Sequence, residues 1–165
     1  QEIRDLQEAT GELPEVSQIQ YHPWTAPDWK QQVRWQTQQN IVTTAYTSLG
    51  GKKFPKDPAS AASSSWPPIV SQLAKQKFAA TEAQVMLRWA LRQGVAVIPG
   101  ATSEQHIREN LSVPKMEDFT DDDARAIEES DPPPEWFDQR RGPVKYLPGS
   151  AKDAFAWQGD HTNKH

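Results

Sequence analysis

The sequence predicts an α/β fold in which short parallel strands are joined by crossover helices, and three observations predict it. Short β-branched or apolar runs recur near residues 16–20, 41–46 and 95–98. Segments of helical periodicity stand between them, with Thr, Ser or Asp at their starts and Gly after several of their ends. Strands that alternate with helices pair in parallel, because each crossover returns the chain to the same end of the sheet.

The order begins at residues 3–9, where Ile3 and Leu6 lie among charges in a helical pattern that stops at Gly11. In "PEVSQIQYHPW", Val16, Gln18 and Gln20 alternate with Ser17 and Ile19 ahead of Pro23, which reads as a strand entering a loop. Residues 27–40 place Trp29, Val33 and Gln36 on one face with Asp28 in the first turn, an amphipathic helix. "IVTTAYTSLGG" is rich in β-branched residues and ends in paired glycines, so a second strand is expected, ending at Tyr46. Residues 52–65 are mostly Lys, Pro, Ala and Ser, and read equally as a mobile loop covering a site and as a plain linker.

A helix is expected from Pro67 to Lys77, and "TEAQ" at Thr81 is a capping box opening the next. That helix carries Val85, Met86, Leu87, Trp89, Ala90 and Leu91 so widely around its circumference that most of its surface must be buried, and Gly94 ends it. "VAVI" at 95–98 is unbroken apolar sequence, as expected of a strand covered on both faces. "TSEQ" at Thr102 reads as another capping box, and "TDDD" at Thr120 as the start of an acidic-capped helix to about Glu129. Beyond "DPPPEW" periodicity vanishes. Residues 131–165 read as an irregular tail docking on the surface by single rings, Trp136, Phe137, Tyr146, Phe155 and Trp157.

Composition bounds the function. With 165 residues, 36% hydrophobic, and 14 prolines, the chain suits one domain with a real core plus long irregular segments. A net charge of −4 from interspersed residues, with no basic block, lacks the electrostatic footprint of a nucleic-acid binder. The absence of Cys removes disulfides, thiolate nucleophiles and Cys-based zinc sites, and fits a reducing, cytoplasmic setting. No apolar run approaches the ~20 residues that span a bilayer, so no membrane partner is expected. A first residue of Gln rather than Met leads us to expect that the native start was processed, cut or omitted. The sequon at Asn110 is read as chance in a chain without secretory signals. Three parallel strands leave two unpaired edges, which something should complete.

Four segments carry a resemblance. "EVSQIQYHPW", "IVTTAYTSLGG", "TEAQVMLRWALRQGVAVIPGATSEQHIRENL" and "FTDDDARAIEE" follow the order and approximate spacing of the C-terminal half of the aldo-keto reductases. The resemblance implies a partial (β/α)8 TIM barrel over residues 1–130, its strands standing sixth to eighth, and a tail over 131–165. The site would lie at the C-terminal ends of the strands. The implied activity is reduction of a small-molecule carbonyl to an alcohol with NADP(H) or NAD(H). The family's Asp, Tyr, Lys and His tetrad belongs to the first half of the barrel, so a missing N-terminal half is implied and no catalytic residue is named here. His22 lies in the family's own His-Pro, outside that tetrad, and is expected to pack the loop.

The resemblance also implies cofactor contacts. Gln18 matches the glutamine that hydrogen-bonds the nicotinamide carboxamide, using both faculties of a primary amide. Tyr46 matches the aromatic that stacks on the nicotinamide ring, its alternative being a core-capping role. Thr47 and Leu49 would present hydroxyl and backbone to the pyrophosphate, although Ser48 in place of the family's Pro is expected to loosen that turn. In "IPGATSEQHIREN" the helix mouth welcomes an anion, with Thr102 or Ser103 capping or touching phosphate, and Glu109 and Asn110 matching the adenine contacts. Gly100 and His106 stand where NADP-selective members carry Lys and Arg, leaving NADP against NAD open unless Arg108 or an outside residue contributes. Trp136 and Trp157 are candidates for a substrate-pocket wall.

Three functions are compatible with this reading. They are the cofactor-binding half of a reductase, a non-catalytic descendant binding nucleotide or a protein partner, and a truncated fragment that self-associates to cover its edges.

Overall fold

The computed structural model describes residues 2–50 and 66–131. The expectations for residues 52–65 and for the rings at Trp136, Phe137, Tyr146, Phe155 and Trp157 lie outside the described residues. Strands β1 (Val16–Gln20), β2 (Val42–Tyr46) and β3 (Ala96–Val97) form one parallel sheet in the order β1-β2-β3. The α-helices are α1 (Glu2–Thr10), α2 (Pro27–Gln38), α3 (Pro68–Gln72), α4 (Glu82–Arg92), α5 (Glu104–Ser112) and α6 (Asp121–Glu128). The α/β class with three parallel strands is as expected.

The pleat sends alternate side chains to opposite faces. Ile19 and Ala45 point into the core with Val33, Val85, Met86, Trp89 and Ile127. On the opposite face Val16, Val42 and Ile98 are more than half exposed, and Tyr46 is 40% exposed. The expectation of cover on both faces is therefore corrected: among the described residues, helices cover only one. An unbroken apolar run does not itself tell one-sided from two-sided burial, and "VAVI" divides into a buried Val95 and an exposed Ile98.

Helix α2 buries Val33 and Gln36, while Trp29, one turn before Val33, stays 36% exposed near the helix start. The Gln36 amide acts as a clamp. Its Nε2 donates to Ser17 Oγ of β1 at 3.0 Å, and its Oε1 accepts from Thr43 Oγ1 of β2 at 2.5 Å. One buried side chain thus bridges two neighbouring strands from the helix layer.

Helix α4 has its expected capping box. Gln84 N–H donates to Thr81 Oγ1 at 3.3 Å, and Thr81 N–H donates to Gln84 Oε1 at 2.9 Å. Gln84 Nε2 also reaches the Glu109 carbonyl at 3.1 Å and Ser112 Oγ at 2.8 Å, tying the start of α4 to the end of α5. Val85, Met86, Leu87, Trp89 and Ala90 are all buried, and Gly94 leaves the helix at φ +77°, where glycine carries no steric penalty. Trp89 is the hub. It stacks on Tyr21 with centroids 5.6 Å apart, and its Nε1 donates to Glu128 Oε1 at 3.2 Å, whose other oxygen takes Lys30 Nζ at 2.7 Å.

Two helix expectations are corrected. The segment expected to run as one helix to Lys77 is α-helical over Pro68–Gln72 and then widens into a π turn over Leu73–Lys77. The wider turn buries both Leu73 and Ala74 and brings Phe78 edge-on to Phe119, centroids 4.9 Å apart. Helix α5 is capped by Ser103 rather than Thr102: His106 N–H donates to Ser103 Oγ at 3.2 Å. Because the residue three on is then His106, the reciprocal glutamine bond of a capping box does not form. At α6 the Thr120 and Asp123 box is present, with Lys77 paired to the same carboxylate.

Replacing Gln36 by Ala leaves the buried Thr43 hydroxyl without its acceptor and opens a cavity. The expected loss is about 2–4 kcal/mol in urea unfolding. In the Gln36→Ala, Thr43→Val pair the losses should fall short of additive, and full additivity would show that the clamp does not couple the two strands.

Candidate functional site

The open face of the sheet gathers polar groups. Gln18 lies opposite Thr44, and Gln20 opposite Tyr46, all four on the uncovered side. Gln18 and Tyr46 are therefore diagonal neighbours, roughly 8 Å apart by sheet geometry. A half-exposed phenol and a primary amide on one ledge can hold a flat heteroaromatic ring by offset stacking and its polar edge by hydrogen bonds.

Beyond Tyr46 the chain makes a tight turn. Thr47 adopts φ +53°, and the Gly50 N–H donates to the Thr47 carbonyl at 2.9 Å. The expectation that Ser48 loosens this turn is corrected. Ser48 is buried, and its hydroxyl donates to the Ala45 carbonyl at 2.9 Å, pinning the turn to the strand it leaves. Thr47 stays exposed, while the Leu49 side chain packs against the core and leaves its backbone for any ligand contact.

The second cluster follows β3. Gly100 is exposed, a Cβ there would meet nothing within 4 Å among the described residues, and its φ is not left-handed. Thr102 is exposed, Ser103 spends its hydroxyl on the cap, and His106 is exposed in the first turn. The amides of Glu104 and Gln105 belong to the helix end, where no intrahelical acceptor exists and the dipole favours an anion. Arg108 is engaged elsewhere: its Nε and Nη2 both donate to Glu104 Oε1, at 2.9 and 2.6 Å. Gln105 Nε2 likewise donates to Glu109 Oε1 at 2.7 Å, and Glu109 and Asn110 are half-buried near the far end of α5. The sequence-expected residues thus fall into two groups beyond the C-terminal ends of β2 and β3, with Gln18 on the sheet below.

His22 lies in the loop after β1 and is 4% exposed. Its N–H donates to Thr25 Oγ1 at 2.8 Å, and its carbonyl accepts from the Thr25 N–H at 3.0 Å. Its Nε2 faces Gln20 Nε2 at 3.3 Å, and its buried Nδ1 has no partner among the described residues. Burial, aided by the nearby Lys30 charge, pushes its pKa down to about 4. The neighbouring Tyr21 hydroxyl is pushed up to about 12, chiefly by burial and then by Glu128, with Arg34 opposing. The period of two that selects Gln18 selects Gln20 as well, and the register sets it opposite Tyr46.

Stability should follow these two groups. In the unfolded chain histidine protonates near pH 6.5, while folded His22 resists until about pH 4, so stability is full above about 6.5 and declines as pH falls to about 4. The shift corresponds to a loss on the order of 3 kcal/mol. Urea unfolding at stepped pH should show that decline, and His22→Phe should flatten the part between about pH 6.5 and 5. On the alkaline side stability declines above about pH 10, where the unfolded tyrosine ionises and Tyr21 does not.

Comparison with known proteins places this geometry. A family model described as the aldo/keto reductase family matches residues 1–132. The chain is 33% identical over 114 residues to an NADP-dependent D-sorbitol-6-phosphate dehydrogenase of Malus domestica, covering 69% of this chain and 36% of that protein. A probable NAD(P)H-dependent D-xylose reductase of Aspergillus niger is also 33% identical over 114 residues, covering 67% of this chain and 35% of that protein. The crystal structure of Gox0644 superposes with a TM-score of 0.60 at 28% identity, over 76% of this chain and 41% of that one. An aldo/keto reductase from Brucella melitensis gives a TM-score of 0.59 at 25% identity, over 76% and 43%. The chain spans about a third of the length of the curated relatives it matches. Sequence motifs, three-stranded topology and a family match over most of its length converge: the chain belongs to the aldo/keto reductase family.

Proposed function

We propose that this chain is the nicotinamide-cofactor-binding part of a reductase that converts a small carbonyl compound to an alcohol, using NADP(H) or NAD(H). The observation that carries the reading is the parallel register that sets Gln18 and Tyr46 on one open face at the C-terminal side of the sheet. The donor set fits the cofactor: an exposed aromatic face, a primary amide, an exposed Thr47 hydroxyl and a helix N-terminus. The names of relatives point the same way, including the NADP-dependent dehydrogenase, the NAD(P)H-dependent reductase and a Gox0644 variant in complex with NADPH.

In this reading Gln18 grips the carboxamide, and Tyr46 stacks on the nicotinamide. Thr47 and the Leu49 backbone meet the pyrophosphate, joined by Thr102, Ser103 and the first-turn amides of α5. Glu109 and Asn110 take the adenine once the Gln105 amide yields the Glu109 carboxylate. Gly100 and His106 supply neither a Lys nor an Arg, and Arg108 is held by Glu104, so these positions do not by themselves select NADP over NAD. The bound nicotinamide supplies the hydride. Protonation of the carbonyl oxygen falls to a tetrad that we place in sequence beyond these 165 residues. The cysteine-free composition supports a reducing, cytoplasmic setting.

Titration of the 165-residue chain with NADH and NADPH, followed by tryptophan quenching, should show saturable binding without carbonyl-dependent oxidation. Tyr46→Ala should weaken binding by about two- to tenfold, the scale of one ring stack, and Gln18→Ala by a comparable factor. Absence of binding sinks the cofactor reading, and turnover by this chain alone sinks the placement of the tetrad.

A further inference from the structure

Gln20 ends β1 directly opposite Tyr46 on the open face. Its carboxamide is already engaged, with Nε2 3.3 Å from His22 Nε2. An amide nitrogen donates and does not accept, so the ring nitrogen facing it must be the bare one. His22 is then a neutral imidazole carrying its proton on Nδ1, as its burial favours. Loop packing alone does not call for histidine here. A phenylalanine would fill similar space without leaving a buried ring nitrogen unpartnered, as Nδ1 is among the described residues. What the imidazole adds is the bond to Gln20.

We propose that His22 is a positioning residue whose bare Nε2 holds the Gln20 amide nitrogen, leaving Gln20 Oε1 as a fixed acceptor beside the Tyr46 ring. Gln20 becomes a second ligand-contacting amide, next to Gln18 along β1 on the same face. It suits an N–H or O–H donor on the edge of a ring stacked on Tyr46. The ligand half of this assignment rests on the open face being the nicotinamide site, whereas the His22 to Gln20 bond does not.

Two measurements on the 165-residue chain test it. In ligand-free, nitrogen-15-labelled protein, long-range imidazole spectra should show His22 protonated on Nδ1, and the Gln20 side-chain amide should shift in His22→Phe while resonances remote from the loop stay put. A His22 protonated on Nε2, or a Gln20 amide indifferent to the substitution, overturns the bond. If His22→Phe does not fold, His22→Gln replaces it. Titration with NADH should then show Gln20→Ala weakened by about two- to tenfold, with His22→Phe weakened as well and the double variant no weaker than Gln20→Ala alone. Independent, multiplying effects overturn the positioning role. Lack of NADH binding by the unsubstituted chain ends the ligand role of Gln20 together with the cofactor reading, and the ligand-free spectra still decide the bond.

Discussion

A pleated strand has two faces, and among the described residues helices occupy only one of them. Ser17, Ile19, Thr43 and Ala45 lie on the helix side, and the alternate positions carry Gln18, Gln20, Thr44 and Tyr46 to the open side. A slip of one residue would send the polar set into the core and the apolar set to solvent, so burial on one side enforces register on both. The face proposed to bind the cofactor is the reverse face of the core. What aligns Gln20 with Tyr46 is the same pairing that brings Ile19 beside Ala45.

The Gln36 clamp reinforces that register with directional bonds. Its two bonds to Ser17 and Thr43 require a hydroxyl on each strand at neighbouring positions, and the register sets Ser17 opposite Thr43. A buried amide with both ends satisfied resists displacement, because any slip strands a polar group away from water. Around Trp89 a second directional cluster forms. Tyr21 stacks on it, Glu128 accepts its indole proton, Lys30 pairs with Glu128, and Trp24 Nε1 donates to the Ser130 carbonyl at 2.6 Å. The loop that holds His22 is therefore braced against the end of α6, which suits a loop whose neighbour Gln20 must keep one orientation.

Local chemistry was legible wherever a bond closes within one turn. The Thr81 and Thr120 boxes and the stop at Gly94 depend on residues three or four apart, and these were readable. The cap of α5 was misplaced by one residue because Thr102 and Ser103 both offer a hydroxyl, and the extended backbone at Ser103 decides which of them is used. The π turn after Gln72 carries no local signature. It arises where Leu73, Ala74 and Phe78 must all reach partners in the core, a demand set by Phe119 and its surroundings far along the chain.

The alternation in "VSQIQ" and "VTTAY", the capping boxes and the glycine stop determined the elements, their order and the parallel sheet, since each is a property of neighbouring residues and of the crossover between them. The alternation also put Gln18 and Tyr46 on one face of the sheet, as the register shows. Tertiary structure decided which face stays open, because that depends on where helices pack rather than on hydrophobic content. It decided that Ser48 tightens the turn after Tyr46, through a carbonyl three residues back that happens to be buried with it. It also decided that Arg108 faces Glu104, that Glu109 faces Gln105, and that Gln20 is held by His22. Side-chain partners answer to local geometry in three dimensions, and no spacing along the chain encodes which of several competing groups lies nearest.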